Sequence, residues 1–376
     1  YWLKGKFDSK YAFFGTLLFL LAAPLIYHTH RHIMFINYMP FLIMALIGVD
    51  NYFDKNKKTL LVISVFLIIM SSYYYSVASI FAIVFYSIYR YIEINKKIKF
   101  TNFMKDGLRF IFPVMIGIMM SCVLILPTLY ALISGRPDIT SSVDTLSLLI
   151  PKVNISEILY NSYTIGVTSI FIIAIVFAFF TKSRNYKFLS IVFIFMILFP
   201  IIIYLFSGFM YVRGKVLIPL LPLAILVITL FLDKLNSKNN KIFNILIVLV
   251  SIIQIIVHLD STNYVFILDV LIVLISIFIY LRYKNKNVII YPVCFCAFVS
   301  CLINNYSEKL VTKEDIALQH NTYNYNILNP ILESDENIYR VGSDIMGMKN
   351  INRVINSNYY LPSIYSSLEN QNYYNK

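Results

Sequence analysis

The lengths of the apolar runs constrain this chain more than any other feature. A helix that crosses a bilayer must satisfy its own backbone and needs about 20 mostly apolar residues, with ~17 as the lower limit. Eleven runs approach or meet that length: residues 11–27, 33–49, 59–72, 76–92, 108–133, 165–181, 188–206, 216–232, 242–258, 265–281 and 288–303. Composition agrees, since 14% of the 376 residues are charged where soluble domains carry about 25%, and the mean hydropathy is +0.72. With 11 Gly and 12 Pro, collagen-like and disordered classes are excluded. The expected fold is an all-α polytopic transmembrane bundle of about eleven spans over residues 1–303, followed by a smaller domain at 304–376.

The formal net charge is +13. In a soluble chain it would suggest nucleic acid, but in a membrane protein a basic excess is first an orientation signal. If every run crosses, one set of loops holds 21 of the 32 Lys and Arg, among them Lys4, Lys6, Lys55, Lys57, Lys58, Arg90, Lys96 and Lys97. The short loops of the opposite set hold five: Arg31, Arg136, Lys152, Arg213 and Lys215. This bias puts the N-terminal end inside and the C-terminal tail outside. No nucleic-acid partner is expected, and the lipid bilayer is the first partner. Residues 71–75, Ser-Ser-Tyr-Tyr-Tyr, read as a tight turn between two short spans or as the middle of one long helix, and the charge alternation favours the turn.

Pro24, Pro40, Pro113, Pro127, Pro200, Pro219 and Pro222 fall within or at the ends of spans, where each removes a backbone hydrogen bond. Residues 304–376 change character. Asn and Tyr dominate and eight acids face six bases, so an extracytoplasmic segment with some α/β structure is expected, with a short strand at 337–341. Cys294, Cys296 and Cys301 fit no zinc spacing and read as apolar thiols. P-loop, GxGxxG and GxSxG motifs are absent.

Charges at the outer face are costly and usually functional. Four places qualify. His28, His30 and His32 alternate around Arg31, a pattern open to metal binding, to interfacial capping or to contact with a phosphate or sugar. Arg136, with Asp138 beside it, follows the Pro127 span and begins the longest outer loop, 134–164; a guanidinium there can fork onto a phosphate or snorkel to headgroups. Arg213 and Lys215 share a short outer hairpin, where fixed cations can neutralise a phosphate leaving group. In the tail, Asn350, Asn352, Arg353 and Tyr365 offer amide and aromatic groups suited to sugars.

In order along the chain, Arg31-His32 with Phe35 and the Met39-Pro40 span, Ser72-Tyr73-Tyr74-Tyr75, and Leu126-Pro127-Thr128 leading to Gly135-Arg136 form a series. It continues through Gly208-Phe209-Met210-Tyr211, Lys215-Val216-Leu217-Ile218-Pro219, Asn350 and Tyr365-Ser366-Ser367. This series resembles the YfhO family of bacterial polytopic membrane proteins, which look like lipid-linked-sugar-dependent glycosyltransferases of the GT-C type. The resemblance implies transfer of a sugar from a polyprenyl-phosphate carrier to a cell-envelope glycopolymer of the lipoteichoic acid type, on the outer face. It implies no cofactor beyond an optional divalent cation, and no metal ligands are assigned. Arg136, Asp138, Arg213, Lys215, Arg31 and His32 would meet the phosphate, and Asn350, Asn352 and Tyr365 the acceptor sugar. The class carries its catalytic acid in the first external loop, which is expected to precede Tyr1. No carboxylate of this chain is assigned as the base. A lipid-linked-saccharide flippase or transporter and a polysaccharide polymerase are the alternatives; the scarcity of ionisable residues in the spans, Asp269 and His258 apart, weighs against a proton relay.

Overall fold

A computed structural model describes residues 1–135, 146–152, 158–209, 212–235, 241–258, 264–306 and 313–314. Among these the chain is helical almost throughout and forms no strand; one isolated parallel bridge joins Leu159 and Val167. The helices are α1 (Ser9–Leu20), α2 (Ala23–His30), α3 (Met39–Lys55), α4 (Thr59–Ser71), α5 (Tyr73–Ile94), α6 (Phe100–Met120) and α7 (Cys122–Gly135). They continue as α8 (Ile170–Ala178), α9 (Arg184–Leu198), α10 (Pro200–Phe206), α11 (Leu221–Lys234), α12 (Lys241–His258), α13 (Tyr264–Tyr283) and α14 (Asn287–Tyr306). Two compact units are present, Tyr1–Ile125 with Ser142–Asn305, and Leu126–Ser141 with Tyr306–Lys376. The strand expected at 337–341 lies outside the described residues.

The eleven apolar runs map onto fewer unbroken helices. Among the described residues four are long and apolar enough to cross a membrane: Ile33–Lys55, Tyr73–Ile94, Gly214–Lys234 and Phe266–Tyr283. Counting each bent helix pair as one span gives up to seven, and Thr59–Ser71, Ile245–Ile256 and Asn287–Leu302 are shorter apolar helices. The run at 165–181 yields only the nine residues of α8, which rise about 14 Å and cannot cross ~30 Å of hydrocarbon. Its first residues are taken by a turn in which Gly166 has φ +62°.

The breaks have local causes. Phe199, ahead of Pro200, is extended (φ −114°, ψ 105°) and α10 leaves α9 at 99°, because the proline ring disfavours a helical conformation in the residue before it. Ala22 is likewise extended, and α2 departs from α1 by 47°. Ser72 (φ −157°, ψ 95°) separates α4 from α5, so within the Ser-Tyr patch the helix breaks at this one residue and the tyrosines open α5.

Close packing fixes the rest. A Cβ on Gly48 would lie 2.8 Å from the Leu61 backbone nitrogen, so glycine is what lets α3 and α4 meet this closely. Within Gly214–Lys234, 94% of its most apolar 18 residues are buried, with α1, α8 and α9 packed on it.

At one end of α3 and α5, Asp50 Oδ1 is 2.9 Å from Lys6 Nζ and 2.9 Å from Arg90 Nε. Tyr86 donates to the same oxygen (2.7 Å), and Trp2 Nε1 donates to the Tyr86 hydroxyl (3.1 Å). Arg90 also reaches Asp54 (2.7 Å) and Glu93. The lysine-rich ends of three segments are thereby tied together.

Candidate functional site

At the opposite ends of α3 and α5 a basic and aromatic cluster forms. His28 lies in the last turn of α2, Arg31 and His32 follow that helix, Phe35 lies in the 3-10 turn Ile33–Phe35, Tyr74 and Tyr75 lie in the first turn of α5, and Lys215 lies in the 3-10 turn Gly214–Leu220 that leads into α11. Segments 158–169, 23–35, 73–75 and 213–216 meet here although they are remote in sequence.

The loop 158–169 is set by backbone hydrogen bonds. Gly166 N–H donates to the Ile158 carbonyl (2.9 Å) and Ala23 N–H to the Gly166 carbonyl (3.0 Å), docking the loop on the start of α2. A Cβ on Gly166 would lie 2.3 Å from Pro24 Cδ, so both the positive φ and the close approach require glycine. At the far end of α2, His28 Nε2 donates to the Ser162 carbonyl (2.9 Å). This bond fixes the tautomer and leaves Nδ1 as a buried acceptor without a partner.

Around His28 the rings of Phe35 (4.6 Å between centroids) and Tyr163 (5.0 Å) close in, and His32 stacks on Phe35 at 5.3 Å. The Lys215 ammonium lies 5.3 Å from the centroid of Phe35 and 4.8 Å from that of Tyr74, within cation–π range. Arg31 Nη1 donates to the Tyr27 hydroxyl (3.0 Å), which is 3.4 Å from that of Tyr163. Burial first, then the positive charges of Arg31 and Lys215, lowers the proton affinity of His32 below the ordinary imidazole value. An imidazole of this kind is a neutral acceptor at pH 7 that gains charge on acidification or when an anion arrives.

Chemically the cluster offers two permanent cations, one convertible cation and several ring faces. That set suits an anionic group joined to a ring-shaped polar moiety. Of the candidates from sequence, Arg31, His32 and Lys215 are brought together. Arg213 is exposed two residues before Lys215, at the N-terminal end of the same turn. Arg136, Asp138, Asn350, Asn352 and Tyr365 lie outside the described residues. The alternating histidines do not converge on a metal: His28 bonds to Ser162 and His30 Nδ1 is 3.1 Å from the Ile26 carbonyl oxygen. Among the described residues no three His, Cys, Asp or Glu side chains gather. Sequence reasoning missed Tyr163 and Ser162; their one local signal is Gly166, which marks a turn.

Apolar helices, a tied basic end and a basic-aromatic opposite end define a polytopic helical membrane protein. Residues 1–375 match the family described as "Bacterial membrane protein YfhO", and the chain belongs to that family. No curated protein and no solved structure matches it.

Proposed function

We propose that the protein is a membrane glycosyltransferase that moves a sugar from a polyprenyl-phosphate carrier to a cell-envelope polymer of the lipoteichoic acid type on the outer face. The observation that carries this reading is the meeting of Arg31, His32 and Lys215 beside the rings of Phe35, Tyr74 and Tyr163 at the end away from the lysine-rich one. Family membership supports it.

In this reading about eleven segments enter the membrane, the tail from residue 304 is extracytoplasmic, and the carrier's phosphate rests against Arg31 and Lys215. Arg213 borders the same phosphate; a phosphate-binding role for Arg136 and Asp138 and an acceptor-binding role for Asn350, Asn352 and Tyr365 rest on the family resemblance alone. A base, to which no carboxylate of this chain is assigned, takes the proton of the acceptor hydroxyl as its oxygen attacks the anomeric carbon; the bond from that carbon to the phosphate oxygen breaks, and the phosphate leaves with the bonding electrons. Fixed cations favour this step because they meet charge that grows as the bond breaks.

The test uses cells whose single copy carries Lys215→Ala or Arg31→Ala, with the variant's membrane level checked by immunoblot. Sugar substitution on the extracted polymer is read by NMR. Loss of one charge-assisted contact costs about 1.5–3 kcal/mol, or roughly 10- to 150-fold in rate. Wild-type substitution in both variants, at normal protein level, would sink the proposal.

A further inference from the structure

A second feature lies at the lysine-rich end. The turn between α3 and α4 walls a recess of about 720 Å³, with Asn51, Asn56, Lys57, Lys58 and Thr59 as its polar lining and Leu60 and Ile63 as its apolar lining. The turn is held rigidly: Asn56 adopts φ 51°, its N–H donates to the Tyr52 carbonyl (3.0 Å), and Lys57 N–H donates to the Asn51 carbonyl (3.1 Å). Its base is the close contact of Gly48 with Leu61.

The charge in this recess is uncompensated. No acid lines it, and the nearest carboxylates on α3 are committed elsewhere, Asp50 to Lys6 and Arg90 and Asp54 to Arg90. Among the described residues no ion pair engages Lys57 or Lys58. Both ammonium groups are exposed, as is Ile63 at 42%, one turn further along the apolar helix α4. The recess therefore passes from two cations and two side-chain amides to bare hydrocarbon within one helical turn, a gradient that matches an amphiphile with an anionic head.

We infer that this recess binds an anionic phospholipid, its phosphodiester between Lys57 and Lys58, its head-group hydroxyls on Asn51 and Asn56, and an acyl chain along Leu60 and Ile63. The site is independent of the glycosyltransferase reading, because it lies at the other end of α3 and uses none of the same residues.

The experiment titrates the purified chain in detergent with phosphatidylglycerol and reads the midpoint of thermal unfolding at fixed ionic strength. Phosphatidylglycerol at tenfold excess over its dissociation constant should raise the midpoint by about 2 °C, whereas phosphatidylcholine and inorganic phosphate should not. The double variant Lys57→Gln/Lys58→Gln should shift the titration about 30-fold to higher lipid. Lys96→Gln/Lys97→Gln, which removes two cations of the same basic collar, should leave it in place. The inference is overturned if Lys57→Gln/Lys58→Gln titrates as wild type, if Lys96→Gln/Lys97→Gln weakens the response as much, or if inorganic phosphate reproduces the shift.

Discussion

Removing the Asp50 carboxylate, as in Asp50→Ala, takes away the acceptor shared by Lys6, Arg90 and Tyr86. Breaking a fully buried ion pair costs about 3–5 kcal/mol, and an exposed one contributes about 0–1 kcal/mol. The Lys6 and Asp50 side chains are 13% and 18% exposed, between those limits, and Arg90 keeps Asp54 and Glu93. The unsatisfied groups are then Lys6 and the Tyr86 hydroxyl, for which about 2–3 kcal/mol is expected in total. That corresponds to a fall of about 3–4 °C in the unfolding midpoint. The single tryptophan, Trp2, donates to the Tyr86 hydroxyl, so its fluorescence reports this network during the melt. Lys6→Met alone leaves Asp50 with two partners and should cost about 1 kcal/mol. In the double variant Lys6→Met/Asp50→Ala, Lys6 is no longer stranded, and the combined loss should be at least 1 kcal/mol smaller than the sum of the single losses. Additivity to within about 0.5 kcal/mol would refute the network as the source of the stability.

Two further outcomes follow from the site's geometry. Gly166→Ala places a Cβ 2.3 Å from Pro24 Cδ at φ +62°, so the loop 158–169 should release, with a midpoint drop of several degrees and faster protease cleavage in the loop; an unchanged melt would show that the docking is dispensable. The lowered proton affinity of His32 means that the folded state holds this proton less tightly than the unfolded one. Its contribution is therefore fully present above about pH 6.5 and is lost as pH falls below that value. His32→Gln should flatten the fall of the midpoint between pH 7.5 and 5.5, and an identical slope in both proteins would contradict this.

The helices long and apolar enough to cross a membrane were legible because hydrocarbon thickness sets a ruler and the runs at 33–49, 76–92 and 216–232 fill it with few charges. Prolines also announced the breaks at Ala22 and Phe199, although not their angles, which depend on how α2 and α10 pack. The shortness of α8 was not legible, since Ile165 and Val167 look as apolar as the helix after them and only Gly166 betrays the turn. In the candidate site, Arg31, His32 and Lys215 stood out as charges on the sparsely basic set of loops. Tyr163 and the Ser162 carbonyl did not, because their role arises from a contact between residues 134 positions apart. Spacing alone likewise left the readings of the alternating histidines open, because it does not show that His28 turns to Ser162 while His30 turns to Ile26.

Lys215 stands on the segment that has the least room to move. From Val216 to Leu232 the segment is buried throughout, and a Cβ on Gly214 would meet Thr164 Cγ2 at 2.6 Å, so the foot of the lysine is wedged against the loop that carries Tyr163. A ligand arriving at the cluster meets an ammonium group on a fixed mount, and any accommodation of different head groups must come from the partners facing it. Specificity in this protein would then drift through substitutions in the 158–169 and 27–35 segments, while the lysine's own position stays locked to the interior of the bundle.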